Sequence, residues 1–100
     1  MQKRTKALSI SPKTKEIVHN RDGGCCIFCG IPQPVSMACA HVLNRGNGGL
    51  GVQKNIITAC WPCHMKFDQS TNRPSMMEYA IKYLTNIYGS WSREEVTYKK

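Results

Sequence analysis

Two Cys-x-x-Cys pairs, Cys26-Ile27-Phe28-Cys29 and Cys60-Trp61-Pro62-Cys63, are separated by residues 30–59 in a chain of 100 residues. Each pair sets two thiols on one side of a tight knuckle, and two knuckles complete a tetrahedral four-cysteine zinc site. The knuckles must meet, so the segment between them has to double back as a hairpin with a loop. A chain this short is expected to form a single domain, 1–100, that burial alone stabilises only marginally, and a metal or disulfide staple commonly makes up the difference. The N-terminal Met-Gln-Lys-Arg-Thr-Lys is basic and polar, without the apolar run of a signal peptide. No segment approaches the roughly 20 apolar residues of a membrane span. An intracellular protein is therefore expected, where thiols stay reduced and clustered cysteines are metal ligands more often than disulfides. A redox Cys-x-x-Cys would sit in a thioredoxin-like βαβ pattern, which the sequence lacks. Cys25 adjoins Cys26 and offers a ligand in the neighbouring register, so the choice between them stays open. Cys39 reads as a small buried residue.

Local signals divide the chain. Residues 1–10 read as a flexible basic arm. Ser11-Pro12 starts a helix, with serine as N-cap and proline at the first helical position, and Asp22-Gly23-Gly24 stops it. Its apolar face is thin, and His19 is expected to be exposed. Val35–Leu43 suits a strand, Asn44–Gly51 with its glycines a loop, and Asn55–Ala59 a second strand antiparallel to the first. A helix is expected after Cys63, reaching about Gln69. Pro74 opens the most periodic segment, with Met77, Ala80, Ile81, Leu84, Ile87 and Tyr88 at helical spacing and Gly89 as the stop. Ser92 and Glu95 form a capping box, with Trp91 and Val96 placed as a hydrophobic staple for a short final helix. The fold class that results is α+β, with a metal-stapled core at 25–70 and a packing helix at 74–89.

Charge narrows the partner. Fourteen Lys and Arg against six Asp and Glu leave a net +8. Such an excess favours a polyanion, because each neutralised phosphate releases condensed counterions. Charge does not separate DNA from RNA, or binding from cleavage.

His41 and Asn55 lie between the knuckles, and His64 follows the last cysteine. Singly, each is an ordinary strand, turn or surface residue. As an ordered set framed by two Cys-x-x-Cys pairs, they resemble the HNH endonuclease (His-Me finger) family. Ala-His-Val-Leu-Asn-Arg-Gly-Asn-Gly-Gly and Asn-Ile-Ile-Thr-Ala-Cys-Trp-Pro-Cys-His are similar in wording to small HNH nucleases of bacteriophages and bacteria, over roughly residues 25–70. The resemblance implies a ββα-metal core beside the Cys26, Cys29, Cys60, Cys63 zinc site, and hydrolysis of DNA leaving 5′-phosphate and 3′-hydroxyl ends. It makes His41 the general base, Asn55 the residue that bonds the loop backbone and orients His41, and His64 a ligand of a divalent ion such as Mg²⁺ or Mn²⁺. These residue types suit hydrolysis, since the base needs a pKa near working pH and a metal stabilises charge on the phosphate. Ala40 stands where many members place a further metal ligand. Asp68, four residues after His64, shares its helix face and resembles the H-x-x-x-H pair of colicin-type HNH nucleases, with Asp in the last place. Arg45 is positioned to clamp a phosphate, with Lys54 and Lys66 adding charge, although each also reads as a solvated surface residue. Few elements remain for reading bases, so weak sequence preference is expected. The rival reading, which Ala40 favours, is a non-catalytic zinc module that binds nucleic acid. An accessory subunit of a larger phage or bacterial DNA-processing assembly is a third.

Overall fold

The computed structural model describes residues 3–69 and 73–99, with side chains described for 6–67 and 73–99. Ser11 caps helix α2 (Pro12–Arg21) as its sequence predicts, its hydroxyl accepting from the Thr14 N–H at 3.1 Å. Ahead of it, residues Lys3–Leu8 form helix α1 where an unstructured basic arm is expected. The reason lies far along the chain. Leu8 is buried, and the Ala7 carbonyl accepts from the Gly51 N–H at 3.0 Å, so the glycine-rich loop holds this segment down.

Strands β1 (Ala40–His41) and β2 (Ile56–Ile57) form one antiparallel pair, with Ala40 opposite Ile57 and His41 opposite Ile56. Both are shorter than Val35–Leu43 and Asn55–Ala59 predict. A 3₁₀ turn takes Val35–Met37 after Pro34, and past His41 the ladder gives way to Asn55. The Asn55 carbonyl accepts from Val42 N–H at 2.8 Å, and its side-chain oxygen then accepts from Leu43 N–H at 2.8 Å. Helix α3 (Trp61–Gln69) begins earlier than expected, because the Cys60 carbonyl accepts from His64 N–H at 2.8 Å. Cys-Trp-Pro-Cys is thus the entry turn of a helix, where Pro62 has no intrahelical bond to lose.

Alternation along the strands sends neighbours to opposite faces. Ala40 and Ile57 join the main core with Val42, Ala59, Phe67, Ala80 and Leu84. Helix α4 (Arg73–Tyr88) supplies the last two and leans Met77, Ile81 and Tyr88 on the same core, as its periodicity predicts. Ile56 turns the other way, to a smaller cluster with Val18 of α2 and Ala38. Between these layers lies a polar hub. Arg21 forks onto Asp22 at 2.8 and 3.0 Å and bonds the Ile56 and Gln53 carbonyls, while Asp22 accepts from Thr58 N–H at 2.8 Å and Tyr83 hydroxyl at 2.6 Å. Asp22 is therefore a tie between α2, β2 and α4, and not simply a helix stop.

Gly89 ends α4 with a positive φ of 86°. The Ser92 hydroxyl accepts from the Glu95 N–H as the capping box predicts, but it donates to the Glu95 carboxylate itself, and only a 3₁₀ turn, Glu94–Val96, follows. Val96 is buried and its carbonyl accepts from Leu50 N–H at 2.8 Å, while Tyr98 N–H donates to Gly48 at 2.7 Å. Pairing with the loop draws this segment out of a helix. No helix among the described residues is long and apolar enough to cross a membrane.

Candidate functional site

The two knuckles bring Cys26, Cys29, Cys60 and Cys63 together, with all four Sγ atoms within 4.8 Å of one another. Sulfur atoms around one zinc ion, each about 2.3 Å from it, lie about 3.8 Å apart, so the cluster can hold a single metal ion such as zinc. The register is settled by geometry: Cys25 pairs with Pro32 as an isolated bridge, and its thiol turns to the Gly23 carbonyl at 3.4 Å. Burial alone would raise the Cys26 thiol, but N–H donors from Cys60, Cys29 and Phe28 outweigh it and bring the pKa down to about 7. Cys63 is pushed far up, first by burial and then by sharing hydrogen bonds with Cys60 and Cys26. Crowded thiols that cannot all ionise together call for a cation, which is the chemistry of a metal site.

Next to Cys63 in the chain, His64 lines a cleft of about 390 Å³ with His41, Arg45, Ile10, Lys15, Cys39 and Asn44. No acidic side chain is among these described lining residues. A larger hollow of about 500 Å³ runs along α4 past Met77, Ile81 and Thr85. It gathers no comparable set of reactive groups, so the chemistry belongs to the histidine cleft.

His41 reaches the cleft because Ala40, its strand neighbour, faces the core. Its Nε2 lies 2.9 Å from the Leu8 carbonyl. A carbonyl only accepts, so in the neutral ring Nε2 carries the proton and Nδ1 the lone pair. Asn55 is fully buried. Its amide donates to the Leu43 and Leu50 carbonyls at 3.0 and 2.9 Å while its oxygen accepts from Leu43 N–H. Asn55 therefore bonds the loop backbone as expected, and among the described contacts the His41 ring meets the Leu8 carbonyl and not the Asn55 side chain. His64 sits in the first turn of α3, its ring nearly parallel to that of Trp61, centroids 6.1 Å apart and planes 11° apart.

The other sequence candidates divide. Arg45 is an exposed residue at the cleft wall. Lys54 does not line the cleft; it ion-pairs with Glu95 and bonds Ser90, holding the Glu95 carboxyl below its ordinary value. Lys66 is exposed on α3. The side chain of Asp68 lies outside the described residues. Ala40 is 1% exposed within the main core and adds nothing to the cleft. Cys39, expected to be buried, is half-buried on the cleft wall, and His19 is half-buried with Nε2 donating to the Gln33 carbonyl at 2.6 Å. Sequence reasoning missed Lys15. The available signal was its position three residues before Val18, on the one face of α2 that packs inward.

No family model matches the chain, and no curated protein or solved structure matches it. What the arrangement can do follows from its chemistry. It joins an imidazole held in one tautomer, a second imidazole from another element, and two cations in one cleft, which suits an anionic ligand and proton transfer.

Proposed function

We propose that the chain is a metal-dependent DNA endonuclease of the HNH type, with the histidine cleft as its active site and the four-cysteine cluster as its structural zinc site. One observation carries this reading: His41 from β1 and His64 from α3, separated in sequence by a loop and a strand, line the same cation-bearing cleft. The order of antiparallel pair then helix is also that of a ββα-metal core. In this mechanism Arg45 holds a phosphate of the backbone. His41 Nδ1 takes the proton of a water directed in line at phosphorus, while the Leu8 carbonyl holds the ring by its Nε2–H. As the water oxygen bonds phosphorus, the P–O bond to the 3′ oxygen breaks and that oxygen takes a proton from solvent, giving a 3′-hydroxyl and a 5′-phosphate. His64, with Asp68, would hold a Mg²⁺ or Mn²⁺ ion that stabilises charge on the phosphate when bound.

Supercoiled plasmid incubated with zinc-loaded protein tests the proposal. Relaxation is expected only with added Mg²⁺ or Mn²⁺, and His41→Ala should reduce the rate by at least about 100-fold, the usual contribution of a general base. Ala40 supports a second reading, a zinc module that binds DNA without cutting it. Salt-sensitive binding by a folded, zinc-loaded protein that never relaxes plasmid would select that reading and overturn the first.

A further inference from the structure

Trp61 is 63% exposed, more than any other large apolar side chain described in the structure. It is nonetheless held in place. Its backbone lies between two members of the cysteine cluster, Cys60 and Cys63, and one ring face lies nearly parallel to His64, which lines the cleft. The exposed indole is thus placed next to His64, in the wall of a cleft that also bears Lys15 and Arg45. Water exposure of an indole is unfavourable, and here the knuckle holds that surface outward next to the cations.

We infer that the preferred substrate is an unpaired strand, with one base stacked on Trp61 and the adjoining phosphate between Lys15 and Arg45; this rests on the nucleic-acid reading above. In duplex DNA the base faces are stacked on one another and only edges and phosphates are presented, so the indole meets no face. An unpaired strand offers both groups together, a π-face for the aromatic ring and a flexible backbone for the cations. Lys15 comes from α2 and Arg45 from the loop, so the phosphate position is defined by two elements. Stacking is tolerant of base identity, because every base has a π-face.

Fluorescence anisotropy with an end-labelled oligo-dT strand and a hairpin duplex of matched length, using zinc-loaded protein without added Mg²⁺, tests the inference. The wild type should bind the single strand more tightly than the duplex. Trp61→Ala should weaken single-strand binding about tenfold while changing duplex binding less than about twofold, and Trp61→Phe should retain most of the affinity. Lys15→Gln should lower the salt slope of single-strand binding by about one ion. An unchanged single-strand Kd in Trp61→Ala with retained circular dichroism, or a duplex preference in the wild type, would overturn the inference and leave the nucleic-acid reading standing. If the wild type binds neither probe, the nucleic-acid reading fails, and this inference with it.

Discussion

Asn55 is buried and uncharged, and its amide directs one acceptor and two donors at Leu43 and Leu50. An aspartate of the same shape would set a carboxylate against two carbonyls, which explains why an amide stands there. Asp22 shows the opposite case, a carboxylate that is buried because Arg21 is fixed beside it. Its neighbour Tyr83 carries a titration consequence. Burial, then the bond to Asp22 and the nearby carboxylate charge, raises the Tyr83 pKa well above its ordinary 10.0. The folded state therefore keeps the phenol neutral where the unfolded chain would ionise it. That contribution is complete below pH 10.0 and is lost as pH rises toward the folded value. In urea titrations, Tyr83→Phe should be less stable than wild type at neutral pH but decline less steeply above about pH 10, following this linkage. Parallel declines would show that Tyr83 does not govern the alkaline limb.

The glycine-rich loop is the element on which the others converge. By composition it suits a surface shaped for close approach of nucleic acid. At Gly49 and Gly51 the approaching backbone is the chain's own: a Cβ at Gly49 would lie 1.7 Å from the Leu43 carbonyl oxygen, and one at Gly51 would lie 2.1 Å from that of Ser9. The loop is a packing surface for α1 and for the C-terminal segment, and through α1 it sets the carbonyl that holds His41. Gly51→Ala should cost about 2 kcal/mol or more in chemical denaturation, because backbone and not a flexible side chain must move. Gly46→Ala is the control, since its nearest contact would be the Asn44 side chain at 3.7 Å. It should fall within about 0.5 kcal/mol of wild type. Equal effects at the two positions would show that the close approach is relaxed without cost.

Taken whole, the molecule has a radius of gyration of 12.6 Å, close to the roughly 13 Å typical of 100 residues. Its packing is nevertheless divided between two clusters, and the two-residue strands hold few ladder bonds. The cysteine cluster joins the first knuckle to the start of α3, so it closes a long span of the fold. Removing zinc with a chelator and dialysing should abolish most of the native far-ultraviolet circular dichroism, and adding zinc back should restore it. A native spectrum that persists in metal-free protein would show that the two cores suffice.

The features legible in the sequence are those encoded by neighbours along the chain. Ser11-Pro12, the stop at Gly89, the capping pair Ser92 and Glu95, and the two Cys-x-x-Cys turns act over a few residues. The start of α2, the span of α4 and the cysteine cluster can therefore be read from spacing. Of the ordered set His41, Asn55, His64, the two histidines line one cleft and Asn55 bonds the loop backbone. Contacts between distant segments leave no such trace. Leu8 against His41, Lys15 in the cleft wall, Lys54 with Glu95 and the Asp22 hub each join residues from separate elements. The choice of Cys26 over Cys25 is of the same kind, because adjacent thiols differ only in which side of the chain packs inward. Which of two nearby side chains faces a core, and whether a short basic segment folds onto a loop, depends on surface buried across the whole molecule. Local propensity does not contain that information.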